Sequence, residues 1–195
     1  FTEPVSVAVH AIDLANIQPG RSVAILGGGV IGLLLLQTAI RAGAAKTLVS
    51  EPVAEKRQLA KSLGADITVD PMNENLEQIG KDFTDCHGFD TVIDATGKIG
   101  PAKQAVFMAA KCGTVLWAAV YPEHSEIAVP PYYMYANELT IRSIIVSPYS
   151  FPRAVALLPK LQLKPLISHV IPLQDIKTAF ELHKTGKAVK ILIKP

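Results

Sequence analysis

Three glycines, Gly27, Gly29 and Gly32, stand where the apolar run Ala24-Ile25-Leu26 turns into another beginning Val30-Ile31. Gly-x-Gly-x-x-Gly at a strand-to-helix turn is the pattern of a loop that carries a diphosphate. Gly27 permits the tight turn, Gly29 lets a pyrophosphate approach the backbone, and Gly32 lets the helix pack closely on a sheet. The free N–H groups and positive dipole end of that helix face the phosphates. A carboxylate, Glu51, closes the next apolar run, Thr47-Leu48-Val49-Ser50, 19 residues beyond Gly32. The spacing is near the roughly 20 residues expected for the acid that binds the adenosine ribose hydroxyls. A buried carboxylate there accepts from two hydroxyls and repels a 2′-phosphate, which favours NAD. Arg57, close by, keeps NADP open.

Positioning these groups requires strands and helices in alternation, and from Arg21 onward the chain supplies them. Ser22 to Leu26 reads as a buried strand, and Val30 to Arg41 as a helix apolar on nearly all faces. A helix over Pro52 to Leu63, a strand over Asp66 to Asp70 and a polar helix over Glu74 to Phe83 follow. Next come strands over Phe89 to Asp94, Gly113 to Val120 and Leu139 to Val146, with a helix over Ala102 to Lys111. The pattern predicts an α/β fold: a Rossmann-type, doubly wound, parallel six-stranded sheet with a C-terminal return segment. Strand ends at Gly27, Glu51, Ala95, Ala119 and Ile145 are expected along one edge, where ligands bind in open α/β sheets. After Ser147-Pro148 come a helix over Pro152 to Leu161, a strand over Leu166 to Ile171, a helix to His183 and a strand over Val189 to Ile193. These continue no evident βαβ alternation and read as elements made to pair with a sheet elsewhere.

Composition narrows the class. The 195 residues are 49% hydrophobic with a net charge of +2, which fits a buried α/β core and gives no case for nucleic acid or an anionic membrane. No apolar run approaches the roughly 18 residues that cross a bilayer. Two cysteines without Cys-x-x-Cys spacing suggest a reducing cytoplasm. The neighbouring Cys86 and His87 read as an exposed loop, and His10, His169 and His183 as packed or surface residues. Phe1-Thr2-Glu3-Pro4 resembles neither a signal peptide nor an initiation sequence, so the chain reads as a piece of something longer.

The residues resemble one family over essentially all of the chain: the coenzyme-binding and C-terminal part of a zinc-type medium-chain dehydrogenase/reductase. The nearest likeness is its sorbitol, polyol and threonine dehydrogenase branch. The stretches that carry the likeness are Glu3 to Ala11, Pro19 to Gly32, Leu59 to Asp66, Asn137 to Arg142, Leu166 to His169 and Gly186 to Lys190. The resemblance implies that residues 1–20 lead in from a catalytic domain, 21–150 bind NAD, and 151–195 return to that domain. It implies that Gly27, Gly28, Gly29, Val30, Ile31 and Gly32 hold the pyrophosphate and that Glu51 binds both ribose hydroxyls. Lys56 would lie beside that ribose, with a solvated helix charge as the plain alternative. Ala95 and Thr96 would flank the ribose path, and Ala118, Ala119, Val120, Ile144 and Val146 would contact the nicotinamide.

At Glu3 the resemblance implies a carboxylate in or beside a catalytic zinc site, while the residues themselves suggest an N-cap for a helix over Pro4 to Leu14. Zinc catalysis needs three protein ligands and an open position, and Glu3 alone does not supply them. In the complete enzyme, the resemblance implies oxidation of a secondary alcohol by hydride transfer to NAD; this part alone is expected to bind cofactor without turnover. A homodimer or homotetramer is implied. Pro130 to Tyr135 could line a substrate mouth, help sixth strands meet across a dimer, or simply pack a helix. An S-adenosylmethionine methyltransferase and a non-catalytic NAD-sensing module are the competing classes. The first is disfavoured by the third glycine and by the lack of an acid before Gly27.

Overall fold

The computed structural model describes residues 1–195. It opens on α1 (Thr2–Ala15), followed by β1 (Ser22–Leu26), α2 (Val30–Ala42), β2 (Lys46–Ser50), α3 (Ala54–Ser62) and β3 (Ile67–Val69). The second half holds α4 (Leu76–Phe83), β4 (Phe89–Asp94), α5 (Ile99–Met108), β5 (Ala109–Trp117), α6 (Pro131–Asn137) and β6 (Thr140–Ser143). These strands form one all-parallel sheet in the order β3-β2-β1-β4-β5-β6. The order reverses between β1 and β4, so the sheet is the doubly wound one that the sequence pattern predicts. No helix is long and apolar enough to cross a membrane.

Burial on both faces explains why the central strands carry continuous apolar runs rather than alternating ones. All five residues of β1 are buried. One core lies between the sheet and α1, α2 and the start of the C-terminal segment, joining Val5, Leu33 to Leu36, Ala154 and Leu166. The other lies on the opposite face and gathers Leu48, Phe89, Val92, Ala105 and Val115. The register sets Leu26, Ser50, Asp94, Trp117 and Ser143 side by side at the carboxyl edge. The expected alignment of strand ends is therefore present, with the last two strands ending at Trp117 and Ser143, three residues earlier than the sequence suggests.

Three local expectations are corrected. The helix expected over Ala102 to Lys111 ends at Met108, and the strand expected from Gly113 begins at Ala109. Ala109 pairs with Phe89, and the register then shifts before Thr91 pairs with Thr114. Cys112 takes a positive φ of 59° within that irregularity. Pairing thus overrides the helical preference of Ala109-Ala110-Lys111. Glu3 is not an N-cap: the cap position is Phe1, whose carbonyl accepts from Val5 N–H at 3.0 Å. Glu3 sits in the first turn, where its charge suits the helix dipole.

The third correction concerns the return segment. After α7 (Phe151–Leu157) the chain forms β7 (Ile167–Pro172), α8 (Ile176–Lys184) and β8 (Lys190–Lys194). β7 and β8 pair with each other in parallel as a separate two-stranded sheet. A parallel pair needs a crossover, and α8 supplies it, so this segment is itself a βαβ unit. Its short strands and the 3-10 turn before α8 (Leu173–Asp175) hide the alternation in the sequence.

Candidate functional site

The glycine loop occupies the junction of β1 and α2 at the carboxyl edge. Gly27 adopts φ +104°, a region open to glycine, and its N–H donates to Ser50 O at 2.8 Å. Gly32 packs so closely on the loop that a Cβ there would lie 1.8 Å from the Gly27 carbonyl oxygen. Gly29 is the N-cap of α2, with an ordinary φ of −71°. The first intrahelical bond, from Leu33 N–H to Gly29 O, measures 2.9 Å. The N–H groups of Val30, Ile31 and Gly32 precede it and have no acceptor within the helix. Together with the dipole of α2, they make this end of the helix attractive to an anion.

Glu51 follows β2 directly and is buried, with only 6% of its surface exposed. One carboxylate oxygen accepts from Gly28 N–H at 2.7 Å and the other from Val53 N–H at 3.0 Å. An ionised carboxylate has about four lone-pair sites, so two remain for hydroxyl donors. A cleft of about 980 Å³ opens here, and its lining includes Gly27, Gly29, Glu51, Lys56, Ala95 and Thr96. The structure thus brings Gly27 and Gly29 of the glycine loop together with Glu51, Lys56, Ala95 and Thr96, the residues expected on the adenosine side.

Lys56 is buried rather than solvated, so the plain helix-charge reading does not hold. Its ammonium donates to the Gly186 carbonyl at 2.5 Å. Thr185 and Gly186, which sequence reasoning missed, therefore form a wall of the same cleft. Arg57 is engaged within the protein. Its guanidinium donates to the carbonyls of Glu51 and Pro52, both at 2.7 Å, and pairs with Asp70 at 3.1 Å. The Met72 N–H, the Asn73 amide and Arg57 hold the Asp70 carboxyl below the usual range.

The predicted nicotinamide-side residues lie outside that cleft. Ala118 is buried beside the end of β4, where its N–H donates to Asp94 O at 2.8 Å. Val120 and Val146 are exposed, and Ile144 packs partly against the first core. Ala119 and Val120 come close to Gly97, at whose Cβ position Val120 O would lie 2.6 Å away. Sequence reasoning also missed Asp94, a fully buried carboxylate at the end of β4. Burial pushes its pKa up, against the opposing donors Tyr121 and Thr96.

The remaining candidates fall elsewhere. Cys86 and His87 line a smaller cavity of about 480 Å³ at the amino ends of β4 and β5. Of the aromatic run, Tyr133 packs on Phe107 at 5.0 Å, while Tyr132 and Tyr135 point to solvent. No three His, Cys, Asp or Glu side chains come together as a possible metal site. Glu3, exposed on α1, has no co-ligands in this chain, so these residues do not fit a zinc centre.

The glycine loop fits a dinucleotide in a way the protein alone does not require. A Cβ on Gly29 would meet no atom within 4 Å, and its backbone suits any residue. The empty space beside Gly29 lies in the cleft that Glu51 closes.

Comparison with known proteins agrees with this geometry. Residues 30–160 match the zinc-binding dehydrogenase family model. Sorbitol dehydrogenase of Gallus gallus is 32% identical over 98% of this chain and 55% of its own length. A candidate zinc-binding dehydrogenase of Sinorhizobium meliloti, solved bound to NADP, superposes with a TM-score of 0.91 at 33% identity. That match covers 100% of this chain and 58% of the other. 2R,3R-butanediol dehydrogenase of Bacillus subtilis gives 0.89 at 29% identity, over 100% of this chain and 56% of its own. The chain spans about 55% of the curated sorbitol dehydrogenase it matches. With the family model matching residues 30–160 and the superpositions extending over the whole chain, these 195 residues belong to the zinc-binding dehydrogenase family.

Proposed function

We propose that this chain is the coenzyme-binding and C-terminal part of an NAD-dependent dehydrogenase that oxidises secondary alcohols of the polyol class. In this reading, residues 21–150 bind the coenzyme, 1–20 lead in from a substrate-binding lobe and 151–195 lead back to it. Gly29 carries the dinucleotide reading: nothing in the protein demands a glycine there, but a pyrophosphate lying on the backbone does. Val30 and Ile31 N–H groups donate to that pyrophosphate, Glu51 accepts from the ribose hydroxyls, and Lys56 stands beside them. NAD, when bound, supplies the hydride acceptor. The chain orients it along the carboxyl edge, from Glu51 past Ala95 and Thr96 towards Ala118, Ala119, Val120, Ile144 and Val146.

The choice of NAD rests on residues 51 and 57. A 2′-phosphate on a ribose bound at Glu51 would meet its carboxylate, and Arg57 is already committed to Asp70 and two carbonyls. The polyol class rests on the likeness to sorbitol dehydrogenases. The zinc of this family finds no complete donor set among these residues, so the chain alone should bind cofactor without oxidising alcohol. The methyltransferase and sensor alternatives gain nothing from relatives that are dehydrogenases by name.

Trp117, the sole tryptophan, lies at the end of β5 and offers an internal reporter. Titration with NADH should quench its emission and produce energy transfer to the dihydronicotinamide. NADPH should bind far more weakly and S-adenosylmethionine not at all. Tight binding of S-adenosylmethionine without a response to NADH overturns the reading.

β6 is an edge strand, and its open ladder supports a homodimer formed by pairing two such edges. Ile141 packs partly on the second core, so its replacement would disturb the monomer as well. Ile144 N–H donates to Trp117 O, and alternation along the strand turns the Ser143 N–H outward. Ser143→Pro therefore removes an outward donor and leaves the β5–β6 ladder intact. Sedimentation should find a dimer for the wild type and a monomer for the variant; an unchanged dimer rejects this interface.

A further inference from the structure

We infer that Asp94 and Tyr121 act as a positioning pair, holding the loop after β5 against the loop after β4 and so shaping the second-nucleoside half of the cofactor crevice. The inference rests on the dinucleotide reading and extends it to residues that reading does not use. A pyrophosphate over Gly27 to Gly32, with its adenosine ribose at Glu51, has used the β1–β2 side of the sheet. The other nucleoside must then cross the point where the strand order reverses and pass over the ends of β4 and β5. The loops at those ends are 95–97 and 118–121.

Asp94 joins them. One of its carboxylate oxygens accepts from the Thr96 hydroxyl at 2.7 Å and from Thr96 N–H at 3.2 Å. The other accepts from the Tyr121 hydroxyl at 2.5 Å. Thr96 in turn lies beside the glycine loop, its Cγ2 3.1 Å from the place a Cβ on Gly27 would occupy. Gly97, at φ +69°, gives the close passage beneath Val120. A chain of contacts therefore runs from the pyrophosphate loop through Thr96 and Asp94 to Tyr121.

Residues 119–129 contain no helix or strand, and their other hydrogen bonds, from Ser125 to Pro122 O, are internal. The Tyr121 hydroxyl makes the bond that ties this segment back to the sheet. Its ring also stands edge-on to Trp117 with centroids 6.3 Å apart. Removing the hydroxyl frees the loop while the ring packing stays. A fully buried carboxylate is costly to keep, and an apolar residue could fill this strand end more cheaply. Its position between the two loops gives that cost a purpose.

The test compares Tyr121→Phe with the wild type using NADH and ADP-ribose, which share every group except the nicotinamide. ADP-ribose binding should stay within about twofold, and NADH binding should fall about tenfold, the value of one buried hydrogen bond to a charged group. The melting temperature is recorded for both proteins. Equal losses for the two ligands, or no loss for either, overturn the inference while leaving the dinucleotide reading intact. A wild type that binds neither ligand defeats the dinucleotide reading itself.

Discussion

Gly32→Ala is expected to lose both thermal stability and dinucleotide binding, whereas Gly29→Ala should lose binding alone. The added methyl at position 32 would lie 1.8 Å from the Gly27 carbonyl oxygen and 2.9 Å from its carbon. Both are backbone atoms, so α2 must back away from β1 or the loop must refold. Overpacking of this kind costs about 1–3 kcal/mol or more, a fall of roughly 3–10 °C in melting temperature for a chain of this size. The displaced helix start also withdraws its N–H groups from the phosphates. Losing one or two charge-assisted hydrogen bonds weakens NADH by about 100-fold or more.

At position 29 the same methyl meets nothing within 4 Å and the backbone needs no change. Its cost to the fold is that of a poorer N-cap, about 1 kcal/mol or less. Its cost to binding is the collision with a ligand lying on the loop. Thermal denaturation and NADH titration on both variants separate the two roles. If Gly29→Ala binds NADH as the wild type does, no ligand rests on this loop and the glycine pattern here is merely a turn.

The same contrast explains what the sequence makes legible. Gly27 and Gly32 are required by protein geometry, Gly29 is not, and all three reach the sequence as one local pattern. Glu51 is legible because it ends a buried strand at a fixed distance from that pattern. The strands buried on both faces, β1 and β4 above all, announce themselves as unbroken apolar runs. The residues missed are those whose partners are distant in sequence. Asp94 meets Tyr121 only because β4 and β5 run side by side, and Lys56 meets Gly186 only because the loop between α8 and β8 reaches α3. The boundary between α5 and β5 was hidden for a related reason: Ala109 becomes strand because Phe89 lies beside it. Periodicity within a segment records which face is buried but carries no record of which neighbour arrives.

Glu51→Gln should collapse the preference for NADH over NADPH. In the proposed binding mode the 2′ substituent of the adenosine ribose comes to the Glu51 carboxylate, which Gly28 and Val53 N–H groups hold in place. A second negative charge about 4–5 Å away is opposed by about 3–4 kcal/mol at the effective dielectric near a protein surface, or roughly 100- to 1,000-fold in affinity. Arg57 does not offset this, because Asp70 and the carbonyls of residues 51 and 52 occupy its guanidinium. Glutamine keeps the shape and removes the charge. Its NH2 cannot accept from a ribose hydroxyl, so one hydroxyl bond is lost and the other is no longer charge-assisted, a cost to binding of about 1–3 kcal/mol. NADH should therefore weaken by roughly 10- to 100-fold. NADPH, relieved of the repulsion, should change little, so the ratio falls below about tenfold. Both titrations are readable from Trp117 energy transfer. A wild type that binds the two cofactors equally well would mean that the carboxylate does not face the ribose, and the adenosine side of the site would have to be redrawn around Lys56 and Thr185.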